Sequence, residues 1–285
     1  MDITDLRTIA PDLKLTENGW WASPTLSAVS YPHDGNSLCF AVEDSSFWFQ
    51  HRNRCILEVM KRFPPPGTLF DIGGGNGCVA RAIQGSGYDV VLVEPGLTGV
   101  QNSVKRGITR VVRASLDDVV TRPETIPAVG LFDVVEHVQD DSAFLSKINR
   151  YLTPKGRVYI TVPAYQWLWS KEDINGGHSR RYTLQTLTRL LSNTGYIIDF
   201  STYLFGFLPL PVFLCRALPH RLGFAPKQGS QEKVRSDHDP TNGLVARVLD
   251  KLTRRELSRI AKHDSLRWGG SCLVVARKDP GGDLD

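Results

Sequence analysis

From residue 68 to residue 203 the apolar positions of this chain switch regularly between short continuous runs and stripes spaced three or four apart. Continuous runs bounded by turn residues read as buried strands, and the stripes read as helices laid on them, so the alternation predicts an α/β sheet domain. The run 68–72 (Thr68, Leu69, Phe70, Asp71, Ile72) is the first strand, and Val79, Ala82 and Ile83 behind Gly77 are the apolar face of the helix that follows. Further strands are predicted over 88–94, 108–114, 196–203 and 271–277. Ahead of residue 68, Ser45 or Ser46 can cap a helix whose stripe is Cys55, Ile56, Val59, Met60 and Phe63, and Pro64-Pro65-Pro66-Gly67 stops it. Asp141-Ser142 opens another helix, with Phe144, Leu145, Ile148 and Leu152 on one face. Thr183 caps a third, carrying Leu184, Leu187, Leu190 and Leu191 until Gly195 ends it.

Two stretches stand apart from this alternation. Residues 1–44 are rich in turn formers, and the apolar Leu38-Cys39-Phe40-Ala41-Val42 reads as one arm of a short hairpin turning near Asp34-Gly35. Covering a sheet edge suffices as its role, and a lid over a site is the other reading. Between the last two strands lies an insertion, 204–268, far longer than a hairpin loop. It starts with an apolar run broken by Pro209 and Pro211, continues through a polar joint over 225–242, and ends in an amphipathic helix marked by Leu244, Val245, Val248, Leu249 and Leu252. The expected division is an extension over 1–44, a main domain over 45–278 holding the insertion, and a tail over 279–285.

Between the first strand and its helix, Gly73, Gly75 and Gly77 let the backbone turn tightly and let a ligand approach it. A dinucleotide fingerprint wants its third glycine at the sixth position, and that position here is Cys78. Asp71, just inside the loop, would repel a phosphate, so a cationic or zwitterionic ligand fits better. Glu94 arrives about 20 residues after the loop, where folds of this kind hold ribose hydroxyls. Adenosine bearing a cationic group is the inference.

Asp71-Ile72-Gly73-Gly74-Gly75-Asn76-Gly77 with Glu94 resembles the S-adenosylmethionine site of class I methyltransferases, and the resemblance extends over roughly 46–203 and the last strand. Residues 131–141, Leu-Phe-Asp-Val-Val-Glu-His-Val-Gln-Asp-Asp, are similar to that family's fourth-strand motif, and 152–163 to its fifth strand with the preceding turn. The resemblance is greatest to the small-molecule branch that includes quinone-biosynthesis enzymes. It implies a Rossmann-like, seven-stranded, mostly parallel sheet with an antiparallel last strand and helices on both faces. It also implies S-adenosyl-L-methionine as cofactor, with Asp71, Gly73, Gly75 and Asp133 around its methionine end and Glu94 on the ribose. By the same resemblance, Trp48 and Arg52 touch the methionine carboxylate or the acceptor, and the adenine contact falls where Ser115 stands, with the backbone of Leu116 or the side chain of Asp117 as the other suppliers. Related enzymes often carry an acidic residue where Ser115 stands.

Composition narrows the rest. A net charge of +4, from 34 Lys and Arg against 30 Asp and Glu, without a basic run, implies no general affinity for nucleic acid. Five scattered cysteines without a C-x-x-C pair indicate neither a disulfide framework nor a zinc site, and a cytoplasmic setting is expected. Met1-Asp2-Ile3-Thr4-Asp5 lacks the basic-then-apolar pattern of a signal peptide. The apolar run after residue 203 is too short and proline-broken to span a membrane, which takes about 20 residues. Arg216, His220 and Arg221 follow it, so peripheral membrane contact through 203–221 stands beside simple packing over a pocket or against a subunit partner.

Chemically, a sulfonium methyl is already activated, and the enzyme must hold an acceptor lone pair in line with it in a dry site. A hydroxyl acceptor needs a base, for which His178 and His137 have the right intrinsic pKa; an amine needs only burial. Arg181, beside His178 in a polar loop, is a candidate for the acceptor site. Glu136, His137 and His178 could gather a divalent metal, but their spacing is not diagnostic and no metal is assigned. The expected function is methyl transfer to an O or N atom of a small molecule, lipid- or sugar-linked acceptors included. The alternatives are a nicotinamide-dependent oxidoreductase and a non-catalytic cofactor-binding scaffold.

Overall fold

A computed structural model of the protein describes residues 6, 10–25, 35–119, 122–224 and 243–281. Its centre is a nine-stranded sheet in the order β1-β2-β5-β4-β3-β6-β7-β9-β8. The strands are β1 (Lys14–Leu15), β2 (Trp21–Ala22), β3 (Leu69–Ile72), β4 (Val90–Val93), β5 (Val111–Arg113), β6 (Ile126–Phe132), β7 (Leu152–Pro163), β8 (Tyr196–Leu204) and β9 (Ser271–Lys278). Strands β2, β5, β4, β3, β6 and β7 run parallel, and β9 lies antiparallel between β7 and β8. Every residue of β3 and β4 is buried, because a parallel sheet is covered on both faces, and all of them but Asp71 are apolar.

The expected seven strands are β3 to β9, and the two extra ones form a hairpin that lengthens the sheet at the β5 edge. It turns through Gly19 at φ +85° and pairs β2 with β5. The hairpin expected near Asp34-Gly35 is not the one found. Asp34 lies outside the described residues, and the arm expected over 38–42 is helical, within α1 (Gly35–Glu43). An apolar run of five cannot distinguish strand from helix by period. A tertiary tie helps hold α1 in place: the Glu43 carboxylate accepts from Arg106 and from Asn76 Nδ2 at 3.2 Å, and Arg106 stacks on Phe40 at 4.4 Å. The polar joint over 225–242 also falls outside the described residues.

Other elements follow their sequence signals. In α2 (Phe47–Arg62), Ser46 accepts from Trp48 N at 3.2 Å, and Cys55, Ile56, Val59 and Met60 are buried before the proline run. Thr183 caps α8 (Leu184–Asn193), counted after α3 (Cys78–Gly85), α4 (Leu97–Lys105), α5 (Leu116–Val119), α6 (Asp141–Tyr151) and α7 (Lys171–Gly176). Within the insertion, 209–221 is helical with a π turn at Phe213–Ala217, and an insertion helix spans Leu244–Ala261. No described helix is long and apolar enough to cross a membrane. Strand order reverses at β3, which has β4 on one side and β6 on the other. In open α/β sheets that reversal opens a crevice at the carboxyl ends of the strands.

Candidate functional site

At the carboxyl end of β3 the chain enters the glycine loop, where Gly73, Gly75 and Gly77 take φ of +70°, +53° and +77°. These left-handed values explain the three glycines. Gly74 is required for a different reason: a Cβ there would stand 2.8 Å from Asp71 Oδ2 and 2.9 Å from Leu92. Asp71 itself is buried, and its Oδ2 has no hydrogen-bond partner among the described residues. Burial, with a smaller contribution from the Glu94 charge, raises its pKa to about 7 against the opposing pull of Arg52. A buried carboxyl left with an open oxygen suits a cationic neighbour.

Glu94, at the end of β4, braces the loop, with Oε2 accepting from Gly75 N at 3.0 Å and Oε1 from Gly96 N at 2.7 Å. Ser115, past β5, donates its hydroxyl to Asp118 Oδ2 at 2.7 Å and so closes the start of α5, where Leu116 is buried. Asp133 leaves β6 at φ +58° and accepts from Thr161 Oγ1 at 3.0 Å and from Arg52. The guanidinium of Arg52 lies 4.6 Å from the Trp48 ring and 5.2 Å from that of Phe49, and its Nε has no partner among the described residues. Trp48 stacks in turn on Phe205 at 5.4 Å. Asp71, the glycine loop, Glu94, Arg52 and Asp133 therefore meet at one end of the sheet, while Ser115 is engaged with its own helix. The chemistry of this donor set fits a ligand with a cation and vicinal hydroxyls: the unpartnered Asp71 carboxyl would suit the first, and the Glu94 carboxylate the second.

On the neighbouring edge, His137 and His178 pack ring against ring at 4.8 Å. His178 Nδ1 is 2.8 Å from Asp173 Oδ1, and His137 Nδ1 is 3.3 Å from the Gly177 carbonyl. Burial, then the His178 charge, lower the His137 pKa. Burial would raise Asp173, but hydrogen bonds from His178 and Arg181 outweigh it and hold the carboxylate at about 2. Arg181, expected to face the acceptor, has its guanidinium committed. Its Nε and Nη2 donate to Asp173 at 2.7 and 3.0 Å, and its Nη1 donates to the Ala164 carbonyl at 3.1 Å. The ligand atoms of Glu136, His137 and His178 lie within 4.8 Å of one another. Both Glu136 carboxylate oxygens are buried without partners among the described residues, and burial followed by the Asp133 charge raises its pKa.

Sequence reasoning misses three residues. Asp173 reads there only as part of a polar loop. Glu256 and His51 carried no signal at all, since 205 positions separate them. Glu256, from the insertion helix, accepts from His51 Nε2 at 2.9 Å, Phe205 N at 2.6 Å and Gly206 N at 2.8 Å. It thereby supports Phe205, a non-glycine residue at φ +59°, under the Trp48 ring.

A doubly wound sheet with a glycine loop and an acidic strand end at its switch point defines a Rossmann-like cofactor-binding domain. A family model described as a methyltransferase domain matches residues 46–199, and the chain belongs to that family. Two Mycobacterium tuberculosis proteins, from strains CDC 1551 / Oshkosh and ATCC 25618 / H37Rv, each carry the name "Probable S-adenosylmethionine-dependent methyltransferase". Both are 26% identical over 164 residues, covering 53% of this chain and 56% of theirs. The chain thus spans about half the length of the curated relatives it matches. Phosphoethanolamine N-methyltransferase 2 of Haemonchus contortus, solved with S-adenosyl-L-methionine, superposes with a TM-score of 0.54 at 18% identity, over 88% of this chain and 58% of that one. The [4+2]-cyclase SpnF superposes with a TM-score of 0.52 at 16% identity, over 91% and 90%. These two likenesses are of fold. The matched segment is a methyltransferase domain.

Proposed function

We propose that the chain moves the methyl group of S-adenosyl-L-methionine to a hydroxyl oxygen of a small-molecule acceptor. The observation that carries this reading is the Asp173–His178 pair at the reaction edge. With Nδ1 held by Asp173 Oδ1 at 2.8 Å, the His178 ring is fixed in the tautomer whose Nε2 lone pair is free to take a proton. An amine acceptor needs no such base, whereas a hydroxyl does. The cofactor supplies an electrophilic methyl when bound; everything else falls to the chain. Asp71, the glycine loop and Glu94 would hold the cofactor. Arg52 and Asp133, joined to each other, would close its methionine end, with Trp48 beneath Arg52. Arg181 acts as a positioning residue, fixing Asp173 against His178, and His137 packs the base from its other side.

A labelled-methyl transfer screen on cell extract, read by mass spectrometry, would identify an acceptor. With that acceptor, His178→Ala should lower kcat by at least about 100-fold, the usual worth of a general base, and Asp173→Asn should cost less while shifting the pH profile. Unchanged turnover in His178→Ala would overturn the base assignment. Calorimetry separates the competing classes: tight binding of NADH with none of S-adenosylhomocysteine would favour an oxidoreductase. Cofactor binding with no transferable acceptor in the screen would favour a scaffold.

A further inference from the structure

Ten large apolar side chains are exposed among the described residues, and four of them fall within 210–224: Leu210 (64% exposed), Leu214 (59%), Leu222 (59%) and Phe224 (76%). Leu210 and Leu214 lie on the helical segment 209–221, which is anchored through other residues, and Leu222 and Phe224 lie in the turn that follows it. Pro209 and Ala217 are buried, Phe213 packs its ring against Trp167 at 5.4 Å, and Arg221 Nη2 donates to the Trp167 carbonyl at 2.9 Å. Leu210 and Leu214, four apart, share one side of the helix.

The chemistry of the segment is one-sided as well. Residues 205–224 contain no Ser, Thr, Asn, Gln, Asp or Glu; apart from apolar residues, Gly and Pro they hold only Arg216, His220 and Arg221. The insertion helix adds five Lys and Arg against two acids. Together the two stretches carry seven cations and two carboxylates, a net of +5, where the whole chain has +4. The positive charge of the molecule is thus concentrated in the insertion. A protein partner is met through about one directional hydrogen bond per 100–200 Å² of interface, for which this stretch offers, besides its arginines, only the His220 side chain. Hydrocarbon beneath a layer of anionic headgroups needs only apolar side chains and cations.

We propose that the outward face of 209–224 docks on an anionic lipid membrane, with Arg216 and Arg221 of the same segment against the headgroups. This is independent of the acceptor and of the methyl-transfer reading, because it rests on the exposed apolar side chains and the charge distribution alone.

Co-sedimentation of the full chain with phosphatidylglycerol vesicles tests it, with phosphatidylcholine vesicles alongside and each at low and high salt. Retention on phosphatidylglycerol should be strong at low salt, fall at high salt, and exceed that on phosphatidylcholine. The double variant Leu210→Ser/Leu214→Ser removes two exposed side chains and should retain its fold by circular dichroism. Its vesicle affinity should drop by about tenfold or more. Equal retention on both vesicles would overturn the charge argument, and retention undiminished in the variant would overturn the assignment of the face. No retention, with concentration-dependent dimerisation in the ultracentrifuge, would assign the face to a second copy. No retention by a monomer would mean that the chain covers the face itself. Either of those last two results overturns the proposal.

Discussion

Asp71 ties the physics of folding to the physics of binding. Its carboxyl is raised from 3.8 to about 7, chiefly by burial, so between those values the folded chain holds a proton that the unfolded chain has lost. Stability from this group is therefore complete below pH 4 and declines as pH rises through 7, the opposite of the usual salt-bridged carboxylate. Urea titrations at pH 5 and pH 8 should show the wild type losing stability relative to Asp71→Asn at the higher pH. A cation placed beside the carboxyl would lower its pKa and release the proton, so cofactor binding at pH 6 should release protons in calorimetry and should not in the variant. Glu94 answers to a different readout. Glu94→Ala removes the acceptor of Gly75 N and Gly96 N and should weaken S-adenosylhomocysteine binding by about tenfold or more, as expected for losing charge-assisted hydrogen bonds of 1.5–3 kcal/mol.

At the scale of elements, the loop from β3 to α3 and the insertion helix each depend on one residue that no local pattern marks. Gly74 does not take a left-handed φ; it is required by the close approach of Asp71 and Leu92. Gly74→Ala should therefore cost about 1–3 kcal/mol, the range for forced overpacking, measurable as a lower urea midpoint, and should impair cofactor binding. Glu256→Ala would leave His51 without its carboxylate and the backbone donors of Phe205 and Gly206 without an acceptor. A loss of about 3 kcal/mol or more is expected in thermal or urea unfolding. Glu256→Gln, which keeps an acceptor oxygen, should lose less. Strands β3, β4, β8 and β9, helices α2, α6 and α8 and the cap residues Ser46 and Thr183 were legible because period, proline and capping signals coincide there. The helix α1 was not, since tertiary contacts through Glu43 and Arg106, rather than a local period, tie it to the sheet.

For the molecule as a whole, the alternation of runs and stripes was enough to indicate an α/β sheet, and the family resemblance supplied the helices on both faces and with them the crevice where a ligand would sit. The two additional strands were out of reach, because each is two residues long and gains its pairing only from the β5 edge. The candidate site divides in the same way. Asp71, the glycines and Glu94 lie at strand ends that the pattern marks, while Asp173 and Glu256 act on residues whose proximity only the folded chain creates. The position of Glu256 bears on any attempt to reshape acceptor choice by exchanging the insertion with that of a relative. Its carboxylate belongs to the insertion but satisfies donors of α2 and of the turn after β8, so a graft cut at the ends of β8 and β9 would remove a component of the host's interior. Junctions placed inside the 209–252 stretch would leave Glu256 and its three partners together, and chimaeras built that way should keep the parent's melting temperature.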